Sequence, residues 1–201
     1  MTSLPSTGGN ANLDETLRFL DFLADARLTL WQVLPLNPPD EYGSPYRSSS
    51  LHACAASLTS DLDAAAVAEL ASTNADAYAE FVATSRDWLE DYVRFAAIVQ
   101  DYGSDWTHWP GPLCRRDASA LAHYERERTR AFAQLRARQF VISERWKTIK
   151  REANARGITI LGDAPLYPAH ASADVWANPT LFALGPAGEL REVAGVPPDY
   201  F

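Results

Sequence analysis

Cysteine and basic residues are both scarce in this chain. Its 201 residues include two cysteines, Cys54 and Cys114, and no C-x-x-C pair, which excludes a disulfide scaffold and indicates reduced thiols. Lys and Arg total 18 against 26 Asp and Glu, so the formal net charge is −8. Because nucleic-acid binders normally carry a basic face, this balance argues against a nucleic-acid partner.

Long apolar runs are absent too. The longest, such as residues 95–99, are far shorter than the ~18 residues that a membrane span needs. Residues 1–10 contain neither a basic region nor an apolar stretch, so we expect no secretory leader. With the reduced thiols, these features predict a cytoplasmic protein without a membrane partner.

Several motifs that carry chemistry are missing. The phosphate-binding pattern G-x-x-x-x-G-K-[ST], the dinucleotide pattern G-x-G-x-x-G and the hydrolase pattern G-x-S-x-G do not occur. The four histidines are scattered and lack the H-x-x-x-H spacing of a zinc site. We therefore expect neither a metal nor a cofactor.

What is present is a helix-and-strand pattern at each end of the chain. Residues 14–26 predict an amphipathic helix and residues 28–36 a buried strand. Residues 140–156 predict another amphipathic helix closed by Gly157, and residues 158–163 a second strand. This order is typical of a parallel α/β sheet.

The middle of the chain has a different pattern. Residues 61–140 are mostly helical, with a break at 103–112 and a charged helix predicted over 117–138. No internal repeat or clear linker separates this stretch from its neighbours. It is interpreted as a helical insertion between two β/α units.

Polar and aromatic residues follow both predicted strands, and in parallel folds the chemistry lies at such strand ends. The first strand leads into a loop at residues 37–50, and the second ends at Asp163. A carboxylate there can bind a sugar hydroxyl, hold a metal or act as an acid or base. Alternatively, Asp163 only caps a loop or pairs with a nearby cation.

Aromatic residues are plentiful, with six Trp and eight Tyr. Flat aromatic faces stack on the apolar faces of sugar rings, so aromatics in loops are candidates for a ligand surface. Those predicted to lie in loops are Tyr42, Tyr46, Trp176, Tyr200 and Phe201. In contrast, Trp31, Trp88 and Trp146 lie on regular elements and are expected to fill the core.

Four stretches, in matching order and spacing, resemble the 4-α-glucanotransferases, also called amylomaltases (glycoside hydrolase family 77). They are residues 2–6, residues 31–36 with the YGSPY of 42–46, the GDAPLY of 162–167 with the SADVWA of 172–177, and the VAGVPPDYF of 193–201. Two departures stand out: GSPYR at 43–47 replaces Gly-Asp-Ser-Pro-Tyr-Gln, and the loop after Ser6 is short.

The resemblance implies an α/β fold, a (β/α)₈ TIM barrel with helical insertions. A closed barrel typically needs ~250 residues, so 201 residues predict an incomplete barrel with the first strands only. The implied division is residues 1–60 for the first β/α units, 61–140 for the helical insertion and 141–201 for the third unit and its active-site loop.

The resemblance also implies the function, which is the transfer of α-1,4-glucan segments between maltooligosaccharides by a retaining double displacement. Tyr46 matches an aromatic that stacks on the donor-side sugar, and Asp163 matches a carboxylate that hydrogen-bonds that sugar. The implied substrate-binding residues are Tyr46, Asp163, Asp199, Tyr200 and Phe201, with Tyr42 and Ser44 as weaker candidates. The expected ligand is a maltooligosaccharide or a starch- or glycogen-type glucan.

The catalytic motifs of that family do not occur in this sequence. They are an Arg-Ile-Asp-His strand with the nucleophile, an Ala-Glu-Asp-Leu-Gly strand with the acid/base and a Thr-His-Asp-Asn motif; Glu90-Asp91 lies in a helical pattern instead. No catalytic residue is therefore assigned, and the chain alone is expected to be inactive. The alternative is a non-catalytic glucan-binding or remnant protein, with a complementary chain supplying the rest of the barrel. A generic α/β protein unrelated to glucans is a third interpretation.

Overall fold

The computed structural model describes residues 13–192, and helices dominate this part of the chain. The helices are α1 (Leu13–Asp25), α2 (Ala64–Thr73), α3 (Ala75–Thr84), α4 (Arg86–Tyr102), α5 (Gly111–Cys114), α6 (Ala118–Glu127), α7 (Thr129–Ala155) and α8 (Ala173–Ala177). Short 3₁₀ turns lie at Ala56–Thr59, Trp106–His108 and Pro179–Leu181, and the strands are β1 (Leu30–Gln32) and β2 (Thr159–Leu161). The mostly helical pattern predicted for residues 61–140 is confirmed.

The two strands pair in parallel, as the pattern predicted, with Trp31 opposite Ile160. They are shorter than predicted, although hydrogen bonds from Thr159 N to the carbonyl of Thr29 and from Val33 N to the carbonyl of Leu161 extend the ladder at each end. Leu28 cannot belong to the strand because its amide donates to the carbonyl of Leu23 and closes α1.

The helices before both strands end in the same way. At the end of α7, Gly157 has φ +73°, and the amide of Ile158 donates to the carbonyl of Ala153 at 2.9 Å. This bond is the mark of a left-handed helix cap, so the predicted role of Gly157 is confirmed. Arg27 takes the equivalent position after α1 with φ +57°, without the help of glycine.

Helix α7 corrects the predicted boundaries. The helix predicted over 117–138 is interrupted at Arg128, and α7 continues without a break through the predicted start at residue 140. Arg128 contacts the Tyr124 ring and pairs with Asp101 on α4. No glycine or proline marks this break, so the sequence pattern did not predict it.

The described core has three clusters. One lies behind the sheet, where Trp31 and Ile158 pack with residues of α1 and α7. A second surrounds α4 and includes Phe95 and Trp109, and a third joins α2 to α7 around Phe140. The long helix α7 contributes to all of them, so it connects the helical region to the sheet.

Trp176 corrects a prediction. It was a loop candidate for a ligand surface, but it lies in α8 with 1% of its surface exposed. Its ring contacts Phe95 and Trp109, and its indole N–H donates to the carbonyl of Leu113. Trp176 is therefore a core residue. Trp31, predicted as core filling, is buried as expected, while Trp88 and Trp146 are partly buried against the core.

The sheet has one covered face and one open face. Trp31 packs inward at 8% exposure, whereas Leu30 and Leu161, on the opposite face, are 57% and 49% exposed. Helices α1 and α7 cover the inward side. In residues 13–192, no helix is both long enough and apolar enough to cross a bilayer.

Candidate functional site

The structure brings together two predicted residues that are 117 positions apart. Tyr46 lies in the loop after β1 and Asp163 just after β2, and the parallel pairing brings both loops to one edge of the sheet. The Tyr46 hydroxyl donates to Asp163 Oδ2 at 2.7 Å. The other carboxylate oxygen of Asp163 accepts from the amide of Ala164 at 2.8 Å.

These contacts show which protein groups Asp163 meets. The carboxylate does cap its loop through Ala164, but it also faces an aromatic residue from a different strand end. In the described part of the chain, no ion pair to Asp163 is formed. Of the two structural alternatives for Asp163, capping of its loop is therefore observed among the described residues and pairing with a cation is not.

The hydrogen bond changes the chemistry of Tyr46. Donation to the Asp163 carboxylate, with smaller effects of burial and of the carboxylate charge, raises the pKa of Tyr46 above its usual value of 10.0. The phenol therefore stays protonated and donating at any physiological pH.

The loop that carries Tyr46 is fixed at both ends. Asn37 donates to the carbonyls of Ser50 and Ala53, and the amide of Leu51 donates to Asp174 on α8. This framework holds the loop over the carboxyl ends of the strands.

Within the loop, Asp40 organises a tight turn by accepting from the amides of Tyr42 and Ser44. Tyr42 is 84% exposed at the tip of this turn. Neither Tyr42 nor Ser44 lines the cleft that contains Tyr46 and Asp163. Their predicted roles in glucan binding stay predictions.

Tyr46 and Asp163 open onto a cleft of about 810 Å³, within the range of ~300–1,000 Å³ typical of small-molecule sites. Its walls come from the loop after β1, the loop after β2 and the segment after α8. The lining residues are Tyr46, Arg47, Asp163, Ala164, Leu166, Tyr167, Pro168, His170, Phe182, Ala183, Leu190 and Glu192.

Sequence reasoning missed the far wall of this cleft. Tyr167 is 68% exposed there, four residues after Asp163, so its position beside a strand-end carboxylate was an available signal. Phe182 and Leu190 had no such signal, because they reach the cleft only through the packing of the segment after α8.

The acidic pair of α4 is engaged elsewhere. Glu90 accepts two hydrogen bonds from Arg136, which lower the pKa of Glu90, and Asp91 pairs with Arg116. The position of Glu90 and Asp91 in a helix, predicted from sequence, is confirmed. Within residues 13–192, no three His, Cys, Asp or Glu side chains come together in a way that could hold a metal ion. Asp199, Tyr200 and Phe201 lie outside the described residues.

The arrangement is that of a small-molecule cleft at the strand ends of an α/β protein, and comparison with known proteins specifies the family. A family model described as 4-alpha-glucanotransferase (glycoside hydrolase 77) matches residues 1–63 and 60–201. The chain belongs to this family, so the resemblance found in the sequence is confirmed.

Curated relatives of this chain carry the same family name. The 4-alpha-glucanotransferases of Aquifex aeolicus and Synechocystis are each 37% identical over 244 residues, a match that covers 100% of this chain and 48% of each relative. The Thermus thermophilus protein of the same name is 33% identical, with the same coverage. The chain therefore spans about half the length of these relatives.

A solved structure supports the fold. The amylomaltase from Streptococcus agalactiae in complex with acarbose superposes with a TM-score of 0.84 at 26% identity, covering 100% of this chain and 49% of that chain. The α/β class with helical additions is thus that of an amylomaltase.

Proposed function

We propose that this chain forms the donor-side glucan-binding wall of a 4-α-glucanotransferase, which transfers α-1,4-glucan segments between maltooligosaccharides with retention. The observation that carries the proposal is the 2.7 Å hydrogen bond between Tyr46 and Asp163 in the wall of the cleft. Because the chain belongs to this family, we interpret the pair as a contact for a glucosyl unit. An aromatic ring suits the apolar face of a glucosyl unit, and a carboxylate accepts hydrogen bonds from its hydroxyls.

Asp163 and Tyr46 are proposed to contact the sugar in different ways. Asp163 uses one lone pair of each oxygen on Tyr46 and Ala164, and a carboxylate has roughly four such sites, so it retains acceptor capacity for sugar hydroxyls. Tyr46, 42% exposed, stacks on the same sugar. Tyr42 and Ser44 make weaker contacts further out, and Asp199, Tyr200 and Phe201 cover the bound glucan.

The chemical step needs residues beyond these. Retaining transfer uses a carboxylate nucleophile and a carboxylic acid/base ~5–5.5 Å apart. The family motifs that carry them do not occur in the 201 residues, and the Glu90-Asp91 pair is tied to arginines. The 201-residue polypeptide is therefore proposed to bind glucan without transferring it.

The open face of the sheet supports an incomplete barrel. In a closed barrel the inner face of every strand is packed, whereas Leu30 and Leu161 are about half exposed. We assign residues 1–60 to the first β/α units, 61–140 to a helical insertion, and 141–201 to the third unit and its active-site loop. The face is to be covered by a polypeptide that carries the remaining strands. The free thiols Cys54 and Cys114 support a cytoplasmic location.

A non-catalytic glucan-binding protein is the second candidate. The observation that favours it is a built cleft in a chain without the catalytic motifs. The two candidates differ only in whether transfer appears once the remaining half of a relative is supplied.

Binding is tested by calorimetric titration with maltoheptaose. We expect Asp163→Asn to weaken binding about tenfold or more, because hydrogen bonds to a charged acceptor are worth ~1.5–3 kcal/mol. Tyr46→Ala should weaken it by removing the ring, and Tyr46→Phe less so. Asp25→Asn, an exposed carboxylate at the end of α1, is the matched control. Equal affinities for the wild type and Asp163→Asn would contradict the proposal.

Transfer is tested by incubating the purified chain with maltotriose. The expected result is no release of glucose and no longer maltodextrins. Disproportionation by this chain alone would show that the assignment of catalysis to other residues is wrong.

A further inference from the structure

Three segments that are distant in sequence meet beside the cleft. Trp106 follows α4 in the helical region, His170 lies in the loop after β2, and Gly188 lies in a turn closed by the pairing of Leu184 with Leu190. The Trp106 indole N–H donates to the carbonyl of His170 at 2.9 Å. His170 Nε2 donates to the carbonyl of Gly188 at 2.7 Å, and the rings of Trp106 and His170 lie 5.4 Å apart.

Gly188 is pressed against Trp106. A Cβ at this position would lie 2.6 Å from Trp106 Cη2 and 3.2 Å from Thr107 Cγ2. Its φ of +85° is also unfavourable for any other residue. The turn therefore rests directly on the indole and has no room for a side chain.

This contact holds one wall of the cleft. The turn connects Ala183 to Arg191, whose amide donates to the Ala183 carbonyl at 2.9 Å. Phe182, Ala183, Leu190 and Glu192, at the base of the turn, line the cleft, whereas Trp106 and Gly188 do not. Trp106 is 4% exposed and belongs to the core around α4, so it is a rigid support.

We propose that Trp106 and His170 are positioning residues, which fix the segment from Phe182 to Glu192 at the distance from Tyr46 and Asp163 that glucan binding requires. The helical region thereby contributes to the cleft through Trp106 without touching the ligand. This inference rests on the proposed function, since it concerns glucan binding in the same cleft.

Gly188→Ala is the most direct test, because it displaces the turn and leaves every cleft side chain unchanged. We expect maltoheptaose affinity to fall about tenfold, the effect of losing one or two well-formed contacts. Gly103→Ala is the matched control: Gly103 has a similar φ of +82° but open space around it. It also places a side chain at a positive φ, but without the clash, and should retain affinity.

His170 gives a second variant, and because it also lines the cleft, its effect on the turn is measured by hydrogen exchange as well as by affinity. His170→Phe keeps a ring against Trp106 but removes the donor to Gly188, and it should weaken binding. His170→Gln restores a side-chain N–H and should recover much of the affinity, which a purely space-filling role would not predict. Both variants should expose the amide of Arg191 to faster hydrogen exchange, with a smaller effect for His170→Gln.

The outcomes separate the two proposals. If the wild type fails to bind maltoheptaose, the proposed function is wrong, and the hydrogen exchange of Arg191 still tests the positioning. If the wild type binds and Asp163→Asn weakens binding, but Gly188→Ala and His170→Phe match the wild type in affinity and exchange, the positioning inference is overturned alone.

Discussion

The hydrogen bond between Tyr46 and Asp163 joins the loop after β1 to the loop after β2, and its acceptor is a charged carboxylate. Donation to a carboxylate stabilises the neutral phenol, which is why the pKa of Tyr46 is raised. The pair is thus both a contact between loops and a measurable electrostatic unit.

Asp163→Asn should therefore bring the pKa of Tyr46 down towards 10.0, its usual value. The amide still accepts a hydrogen bond but carries no charge, so ionisation of the phenol is no longer opposed. An ultraviolet titration of tyrosinate, taken as the difference from Tyr46→Phe in each background, measures this. An unchanged pKa would mean that the two side chains do not meet in solution.

At the residue scale, the sequence can predict a site residue whose position is set by a motif at a strand end. Asp163 comes just after β2 and Tyr46 lies in the loop after β1, so the parallel pairing of the strands brings both to one edge of the sheet. Trp176 was misassigned because its helix is five residues long and gives little periodic signal. Phe182 could not be predicted, since its place depends on a turn that rests on Trp106.

At the scale of elements, α4, α6 and α7 are joined by one arginine. Arg136 on α7 donates to both oxygens of Glu90 on α4 and to Glu125 on α6. These side chains are 19%, 22% and 30% exposed, so the group is only partly screened by solvent. Its geometry is bidentate towards Glu90, the arrangement in which such pairs are strongest.

Arg136→Gln should lower the free energy of unfolding by about 2 kcal/mol at pH 7, less than for a fully buried pair. The pKa of Glu90 is lowered in the folded state, so its contribution is complete above the ordinary value of 4.5 and is lost as the pH falls through the lowered value. The difference between wild type and variant should therefore shrink below about pH 4.5.

Urea unfolding at several pH values measures both quantities. Arg151→Gln is the matched control, since Arg151 lies on the same helix and is 70% exposed. A difference of the same size at pH 7 and pH 3.5 would show that Glu90 is not the partner that matters.

Element identity was easier to predict than element boundaries. The helices before both strands were correctly identified, and the end of α7 was correctly predicted, because apolar periodicity and, for α7, a terminal glycine mark them. The break at Arg128 was missed because no glycine, proline or other turn signal marks it in the sequence. The first strand begins later than predicted because Leu28 is used to close α1.

At the scale of the whole molecule, two observations belong together: the share of its relatives' length that the chain spans, and the open face of its sheet. The match covers this chain completely but only 48% of the Aquifex aeolicus relative. Leu30 and Leu161 share the exposed face with Gln32 and Thr159, by the register of the two strands. Because both leucines are about half exposed, this face of the parallel sheet is expected to associate, either with copies of itself or with further strands.

The double variant Leu30→Lys/Leu161→Lys tests this at the level of assembly. In the chain alone, it should lower self-association measured by sedimentation, because two charges on the face oppose apolar contact.

When the chain is co-expressed with the part of the Aquifex aeolicus relative that lies beyond the match, we expect maltotriose disproportionation to appear. The double variant should abolish that activity, because lysines facing the interior of a barrel cannot be paired there. Leu70→Lys, on α2 and 39% exposed, is the control that should leave both results unchanged. Activity with the double variant would show that this face does not meet the remaining strands. Glucan binding without any activity in the co-expressed wild type would favour the non-catalytic alternative.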